Sequence, residues 1–291
     1  MSEAEDSTAS AKKIAEAIAA LPPLPSTAQQ ILTCFGDEFI DADKVADVVE
    51  SDPGICAKLL GLANSAYFGL PEPVNNIREA ISRVLGVDTV RSLVLAMAIQ
   101  QSFNTRTCPA FSARRFWMQS LLTAECCKKI VCADDKASDV DRDLAYTSGL
   151  CHNLGMMALA HMEPQKTHSV LYSFHETEEA GNLGDMFINE LETNHRIMTA
   201  ELARCWSLPA PMTAAYQHRA FPDEPYDGRL GLIVVSAATA VGNMEVEDDK
   251  RTDLRVWAKG FGLDPDDLQQ MAVFGERQRE KVQSLVGNMS G

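Results

Sequence analysis

Residues 148–159 constrain the fold of this chain most, because the segment is mostly apolar yet carries His152 and Asn153 side by side at its centre. Apolar side chains at Leu150, Leu154 and Met157 recur at the spacing of one helix face, which predicts a buried helix through the segment. Polar side chains on a buried helix must find partners inside the protein or face a cavity. A histidine followed directly by an acid is typical of metal sites, and here an amide replaces the acid. The segment therefore belongs either to an enzyme or to a binding module.

Length and composition predict a globular protein. The chain has 291 residues, of which 46% are hydrophobic, enough for one large helical domain or two small ones. No apolar run reaches the ~18–20 residues needed to span a bilayer. Residues 1–10 are polar and acidic, so they predict a disordered terminus and no signal peptide. We expect a cytoplasmic protein without membrane contact.

Charge and cysteine spacing exclude two classes of function. The net charge of −15 disfavours a nucleic-acid binder, which needs a basic face to neutralise phosphates. The eight cysteines show no C-x-x-C spacing, and several lie in apolar helical runs, where a thiol behaves as a small hydrophobe. Neither a disulfide framework nor a structural zinc site is expected.

The periodicity of apolar residues predicts an all-α fold. Short amphipathic segments follow one another along the chain, and no β-hairpin signal is present. Ser26 is predicted to cap a helix with Gln29 three residues later, and Asp52-Pro53 is predicted to start another helix. His161, His168 and His175 are spaced seven apart, but Pro164 should interrupt any single helix through them, so they are interpreted as surface histidines.

Several motifs together resemble the HDOD domain, a helical regulatory module related to the HD phosphohydrolases. The motifs are Leu24-Pro25, Ser51-Asp52-Pro53, Asn64-Ser65-Ala66-Tyr67-Phe68-Gly69, Ala80-Ile81 through Leu85-Gly86, Phe116-Trp117, residues 149–155, His195, Trp206-Ser207-Leu208-Pro209 and His218. The resemblance covers about residues 21–242 and implies a multi-helix HD-like bundle. It implies a single domain over residues 11–291, with C-terminal helices from residue 243 packed on it and any subdivision near residues 105–110.

The resemblance also implies which residues of this chain stand at the metal-ligand positions of HD phosphohydrolases. That family holds a divalent cation with a histidine, a His-Asp pair and a final aspartate. The matching positions here are Gln119, His152, Asn153 and approximately Thr239. Only His152 is a good ligand, because neutral carbonyl oxygens hold hard cations only with carboxylate support. Without the ion there is no activated water. We therefore expect no catalytic residue, no bound metal and no cofactor.

The same resemblance predicts a polar pocket. By analogy with the related fold, five residues on separate helices should converge: Gln119, His152, Asn153, His195 and His218. Three interpretations remain open. The residues satisfy one another in a relic of the ancestral site, they bind a nucleotide or another small ligand through neutral groups, or they retain a metal ion.

The resemblance implies a partner-binding role in bacterial signal transduction, with two-component or cyclic-dinucleotide pathway proteins as partners. Candidate contact residues are Asn64, Ser65, Tyr67 and Phe68, although the first two also suit a helix end or a turn. The alternative is a divergent metal-dependent phosphohydrolase acting on a nucleotide or cyclic dinucleotide. Direct DNA contact is disfavoured by the charge, and homo-oligomerisation is left open.

Overall fold

The computed structural model describes residues 23–35, 41–65, 68–133, 139–176, 182–221 and 229–243, with scattered positions between 273 and 289. Every regular element in these ranges is a helix, so the predicted all-α class is confirmed. The predicted disordered residues 1–10 lie outside the described residues, as do most of the predicted C-terminal helices. Among the described residues, no helix is both long and apolar enough to cross a membrane.

The helices follow one another with short connections. In chain order they are α1 Ser26–Thr33, α2 Ala42–Glu50, α3 Pro53–Ala63, α4 Ile77–Glu79, α5 Val87–Gln100, α6 Ala113–Ala133, α7 Asp139–Cys151, α8 Leu154–Met162, α9 Pro164–Glu176, α10 Leu183–Leu191, α11 His195–Cys205, α12 Ala210–Ala220 and α13 Arg229–Asn243. A π-helical segment, Ala80–Leu85, continues α4.

The chain forms two compact units. Unit I comprises Met1–Leu24, Gln100–Ser112 and Asn153–Tyr226, and unit II comprises Pro25–Ile99, Ala113–His152 and Asp227–Gly291. The boundary therefore passes between His152 and Asn153, the two central residues of the segment 148–159. The expected single domain over residues 11–291 stays a prediction.

Unit II is built on α6, which packs against α7 and α13. Trp117, in the second turn of α6, is fully buried. The start of α3 is also confirmed, because Asp52 accepts hydrogen bonds from the backbone N–H groups of Gly54 and Ile55 and Pro53 occupies the first helical position. The prediction that Ser26 caps α1 is wrong. Pro25 holds the cap position with extended backbone, so Ser26 is already helical and makes no capping bond.

Unit I contains α8 to α12, and α11 packs against both α8 and α12. Pro164 begins α9 directly after α8 ends, so the predicted interruption is confirmed. The interpretation of the three histidines as surface groups holds only for His175. The ring Nδ1 of His161 accepts a hydrogen bond from Asn104 N at 3.2 Å, and that of His168 accepts one from Ala110 N at 3.2 Å. These two half-buried rings hold the segment Gln100–Ser112 in unit I.

Candidate functional site

The segment 148–159 does not form one helix, which corrects the prediction from periodicity. Helix α7 ends at Cys151, and α8 begins at Leu154. Asn153 between them has φ −122° and ψ 20°, outside the helical region. The apolar spacing continues through the turn because each of the two helices buries an apolar face. His152 and Asn153 therefore lie between two helices, where their side chains are not restricted to the directions that a helix imposes.

Gly149 fixes the helix before this junction. A Cβ atom at Gly149 would lie 2.8 Å from the Cα of Ala124 and 2.8 Å from the Sγ of Cys127, both on α6. Only a residue without a side chain lets α7 approach α6 so closely. This contact sets the position of the last turn of α7, which ends one residue before His152.

His152 is buried with a defined hydrogen bond. Its ring Nδ1 lies 2.7 Å from the carbonyl oxygen of Gly149, and the residue is 4% exposed. A carbonyl oxygen only accepts, so Nδ1 must carry the proton and donate. In the neutral ring the lone pair then sits on Nε2. This is the tautomer that a histidine ligand or a hydrogen-bond acceptor presents.

The other implied metal positions of unit II carry neutral groups. Gln119 is half-buried on α6. On α13, the Thr239 hydroxyl donates to Val235 O at 2.8 Å, as threonine in a helix commonly does. Helices α6, α7 and α13 pack against one another, so the three positions lie on one helix cluster. The chemistry of this set offers one imidazole, one amide and one hydroxyl.

In unit I, Gly155 brings the starts of α8 and α11 together. Its backbone N–H donates to the hydroxyl of Thr199 at 2.9 Å, and that hydroxyl donates to His195 O at 2.7 Å. A Cβ atom at Gly155 would overlap the carbonyl oxygen of His195 and lie 2.6 Å from Thr199 N. The first turn of α8 therefore sits directly on the first turn of α11.

Asn153 lies directly before the first residue of α8, where its side chain is close enough in sequence to cap the helix. It occupies the cap position, yet its side chain makes no capping hydrogen bond. The residue is 8% exposed, and its Oδ1 has no hydrogen-bond partner among the described residues. A buried amide oxygen without a partner costs about 1–3 kcal/mol. That cost is recovered when a ligand or water donates to it.

His195 and His218 come from two antiparallel helices of the same unit. His195 is the first residue of α11 and contacts the ring of Phe187 edge to face, with centroids 6.0 Å apart. His218 lies in the last turn of α12, and burial lowers its pKa, which favours the neutral imidazole. Both rings are buried. With Asn153, they give unit I three buried polar side chains.

Cys151 and His152 do not form a catalytic dyad. Burial raises the pKa of the Cys151 thiol to about 12, so the thiolate nucleophile is absent at neutral pH. Cys126 has its pKa raised to about 12, mainly by burial and further by Glu125 beside it. Cys127 is raised well above its usual value by burial first. These thiols fill space between helices.

The predicted site residues therefore divide between the units. Gln119 and His152 belong to unit II, and Asn153, His195 and His218 belong to unit I. That all five share one pocket stays a prediction. Among the described residues, no group of three or more His, Cys, Asp or Glu side chains is placed to hold a metal ion. The residues at the implied metal positions do not fit a hard divalent cation, because none of the four is a carboxylate.

The partner-binding candidates lie where α3 ends. Asn64 caps α3, its Nδ2 donates to Val74 O at 2.9 Å, and Val74 N donates to its Oδ1 at 2.8 Å. Its amide is thus used to close a loop. The Ser65 hydroxyl is buried without a hydrogen-bond partner in the described ranges, and Phe68 is half-buried. Tyr67 lies outside the described residues.

Sequence reasoning missed the residues that position the site. Gly149, Gly155 and Thr199 were not candidates, because each acts through a contact with another helix. The signal that could have found them is the pair of glycines flanking His152-Asn153 at a spacing of six residues.

Comparison with known sequences identifies the family. The sequence profile of the HDOD domain matches residues 21–222, slightly less than the 21–242 expected from the motifs. An uncharacterised protein of Treponema pallidum (strain Nichols) is 26% identical over 221 residues, which cover 74% of this chain. The chain spans 40% of the length of that curated relative.

Solved structures share the fold. A candidate signal transduction protein from Marinobacter aquaeolei VT8 matches with a TM-score of 0.79 and 23% identity, covering 98% of this chain and 66% of that one. An HDOD domain protein of unknown function from Geobacter sulfurreducens matches with a TM-score of 0.75 and 20% identity, covering 98% and 99%. A candidate phosphohydrolase from Shewanella amazonensis SB2B matches with a TM-score of 0.71 and 21% identity, covering 95% and 97%.

Proposed function

The chain belongs to the HDOD domain family, and we propose that it is a non-catalytic regulatory module that acts in bacterial signal transduction by binding other proteins. The observation that carries the proposal is the chemistry of Asn153 and its companions. HD hydrolases have a histidine at the position of Gln119 and aspartates at the positions of Asn153 and Thr239, whereas this chain supplies two amides and a hydroxyl there. Such a set gives a divalent cation too little negative charge.

Metal content and turnover test the non-catalytic part. The protein is purified without chelators, its metal is measured by elemental analysis, and hydrolysis of a phosphodiester is assayed with Mn²⁺ or Mg²⁺ added. We expect less than stoichiometric metal and no turnover above buffer. A matched variant carrying Gln119→His, Asn153→Asp and Thr239→Asp restores the ligand set and serves as the positive comparison for metal binding. Stoichiometric metal together with turnover in the wild-type protein would refute the proposal.

One observation favours the competing enzyme hypothesis, a divergent phosphohydrolase acting on a nucleotide or cyclic dinucleotide. His152 donates through Nδ1 to Gly149 O, which leaves Nε2 as the metal-binding nitrogen. A His152→Gln variant separates the two hypotheses. If any hydrolysis is present in the wild type, this variant must abolish it, whereas a regulatory module shows no hydrolysis to lose.

For partner binding, we propose the end of α3 as the contact face, with two-component or cyclic-dinucleotide pathway proteins as partners. The Asn64–Val74 hydrogen bonds fix the ends of the loop that carries Tyr67 and Phe68. The test is affinity capture from the source organism followed by mass spectrometry, with Tyr67→Ser/Phe68→Ser as the variant. Tyr172→Ser is the control, because Tyr172 is an exposed aromatic residue of unit I. Equal partner recovery by the wild type and the loop variant, with both folded, would rule out this face.

We also propose a small-ligand pocket in unit I around Asn153, His195 and His218. Its support is the buried Oδ1 of Asn153, which has no hydrogen-bond partner in the described part of the chain. A thermal-shift screen with nucleosides, nucleotides and cyclic dinucleotides tests it, since a ligand that binds only the folded state raises the melting temperature. The wild type should respond to one compound and Asn153→Ala should not. A screen without any shift would leave the relic interpretation in place.

A further inference from the structure

Two histidine rings of unit I hold one segment of the same unit by the same kind of hydrogen bond. Residues Gln100–Ser112 belong to unit I, whereas the chain before and after them belongs to unit II. The backbone N–H of Asn104 donates to Nδ1 of His161 at 3.2 Å. The backbone N–H of Ala110 donates to Nδ1 of His168 at the same distance of 3.2 Å. Since His161 lies in the last turn of α8 and His168 lies in α9, the segment is attached to two helices.

These two bonds fix the protonation of both rings. A backbone N–H only donates, so the Nδ1 that accepts it carries no proton, and the neutral ring has its proton on Nε2. This tautomer is the opposite of that of His152, whose Nδ1 donates to a carbonyl. A protonated imidazole donates from both nitrogens. The proton that charges His161 or His168 must therefore bind to the accepting Nδ1, where two N–H groups then face each other in place of the hydrogen bond.

Little else holds the backbone between the two attachment points. In the part of the chain that the structure describes, residues 104–110 make no other hydrogen bond outside their own segment. Their remaining bonds are local, such as that from Cys108 N to Thr105 O at 3.1 Å, and Cys108 is the one buried side chain among them. Phe103, just before them, is buried and contacts the ring of His161 with centroids 6.2 Å apart. Residues 104–110 can therefore detach locally without moving Phe103.

The charged and titratable groups around the two rings determine what an added proton meets. Those of the segment and of the chain beside the rings are Arg106, Cys108, Glu163, Lys166 and Tyr172. Burial raises the pKa of the Cys108 thiol, and the Tyr172 ring lies 5.9 Å from that of His168. On the helices packed against α8 and α9, Glu201 and Arg204 in the last two turns of α11 pair with each other, and Asp185 and Glu190 of α10 are exposed. Within the described ranges neither histidine makes an ion pair, so no carboxylate there compensates for the loss of the hydrogen bonds.

We propose that residues 104–110 form a pH-sensitive loop, which is attached to α8 and α9 while His161 and His168 are neutral and is released when both are protonated. The attachment is complete at about pH 7.5 and is lost as the pH falls toward about 5.5, the range in which an ordinary histidine takes up its proton. The proposal goes beyond the proposed function and does not depend on it, because neither ring belongs to the proposed pocket or contact face.

Amide hydrogen exchange of the full chain, followed by NMR, tests the loop. The rates at Asn104 and Ala110 are divided into those of an unstructured peptide of the same sequence at the same pH, which removes the intrinsic pH dependence of exchange. Each protection factor should fall about tenfold between about pH 7.5 and pH 5.5, as expected for the loss of one backbone hydrogen bond. Amides inside α8 and α9 should keep their protection. Unchanged protection at both loop amides overturns the proposal, and so does an equal loss throughout the two helices.

The double variant His161→Asn/His168→Asn sharpens the test. The side-chain oxygen of asparagine can take the place of Nδ1 and accepts a hydrogen bond at any pH in this range. The variant should therefore keep the loop protected at pH 5.5. The control is His175→Asn on α9, where His175 is exposed, and it should retain the pH dependence of the wild type. Loss of the pH dependence in this control overturns the proposal.

The tautomers of the wild-type rings give a measurement that needs no variant, should the double variant fail to fold. The ¹⁵N chemical shifts of the two imidazoles at about pH 8 distinguish a protonated Nε2 from a protonated Nδ1. Both His161 and His168 should carry the proton on Nε2, because Nδ1 accepts from the backbone. A proton on Nδ1 of either ring overturns the proposal.

Discussion

Two glycine contacts flank the His152–Asn153 junction, and they are built differently. At Gly149, in unit II, an added Cβ would meet the backbone of Ala124 and the flexible end of a side chain, the Sγ of Cys127, each at 2.8 Å. At Gly155, in unit I, it would overlap a backbone carbonyl and press on a backbone nitrogen. The first contact can relax partly by moving a thiol. The second can relax only by separating two helices.

The difference has a consequence for the candidate site. The Gly155 contact includes the hydroxyl of Thr199, which joins Gly155 N to His195 O, so a site residue is part of the same hydrogen-bonded unit. The Gly149 contact reaches the site through the carbonyl of Gly149, which holds the ring of His152. Disturbing the Gly149 contact should move His152, and disturbing the Gly155 contact should move His195. The Gly155 contact should tolerate an added side chain less well than the Gly149 contact.

The largest effect is expected for Gly155→Ala. The added methyl group cannot be accommodated against His195 O and Thr199 N, so the free energy of unfolding should fall by about 3 kcal/mol. Urea denaturation followed by circular dichroism measures the change. A loss below about 1 kcal/mol would mean that the α8–α11 contact is much looser than the structure has it.

Gly149→Ala should cost less, about 2 kcal/mol, because part of the clash is with a movable thiol. Combining it with Cys127→Ala removes that thiol, and the double variant should be more stable than the sum of the single effects by about 1 kcal/mol. Equilibrium unfolding of all four proteins gives this coupling. Strict additivity would show that the backbone of Ala124 alone sets the contact.

Thr199→Val should lower the free energy of unfolding by about 1.5 kcal/mol. The substitution keeps the shape but leaves the buried N–H of Gly155 without its acceptor. Thr199→Ser retains the hydroxyl and is the control. In unit II, Thr147→Val breaks a comparable bond, since the hydroxyls of Thr147 and Ser92 lie 2.6 Å apart. A larger loss for Thr147→Val than for Thr199→Val would show that the hydroxyl pair of unit II contributes more to stability than the Thr199 bond of unit I.

The smallest effect concerns the pH dependence of stability through His218. Burial lowers its pKa in the folded state below the usual value of about 6.5, so the unfolded chain takes up its proton first as the pH falls. The stability contributed by neutral His218 is complete above about pH 6.5 and is lost as the pH falls through that value toward the folded pKa. The stability of His218→Gln should therefore fall less than that of the wild type between about pH 7 and pH 5.5. Parallel curves would show that the ring is effectively solvated.

Local signals in the sequence predict much of the fold. Asp52-Pro53 marks the start of α3 and Pro164 marks the start of α9, because each acts on its own backbone. The break at His152–Asn153 was not predictable from periodicity, since it depends on where α6 and α11 meet the two glycines. Ser26 failed as a cap because Pro25 already occupies that position.

The residues of the candidate site could be predicted from the sequence, but the contacts that position them could not. The resemblance led to His152, Asn153, His195 and His218, and all four are buried. The Thr199 hydroxyl that joins Gly155 to His195 was not foreseen, because this link depends on the level at which α8 and α11 meet. A sequence pattern shows which residues share a helix face, whereas the level at which two helices meet depends on the connection between them.

The two hydrogen bonds between Asn64 and Val74 join the two ends of a surface loop. The Asn64 side chain makes with Val74 the two hydrogen bonds that a backbone residue makes with its partner in an antiparallel strand pair. The ends of the loop therefore keep their spacing whatever sequence lies between them. Changing loop length costs little entropy once the ends are tied. If this loop contacts partners, as proposed above, the residues between these two positions can change without moving the ends of the loop.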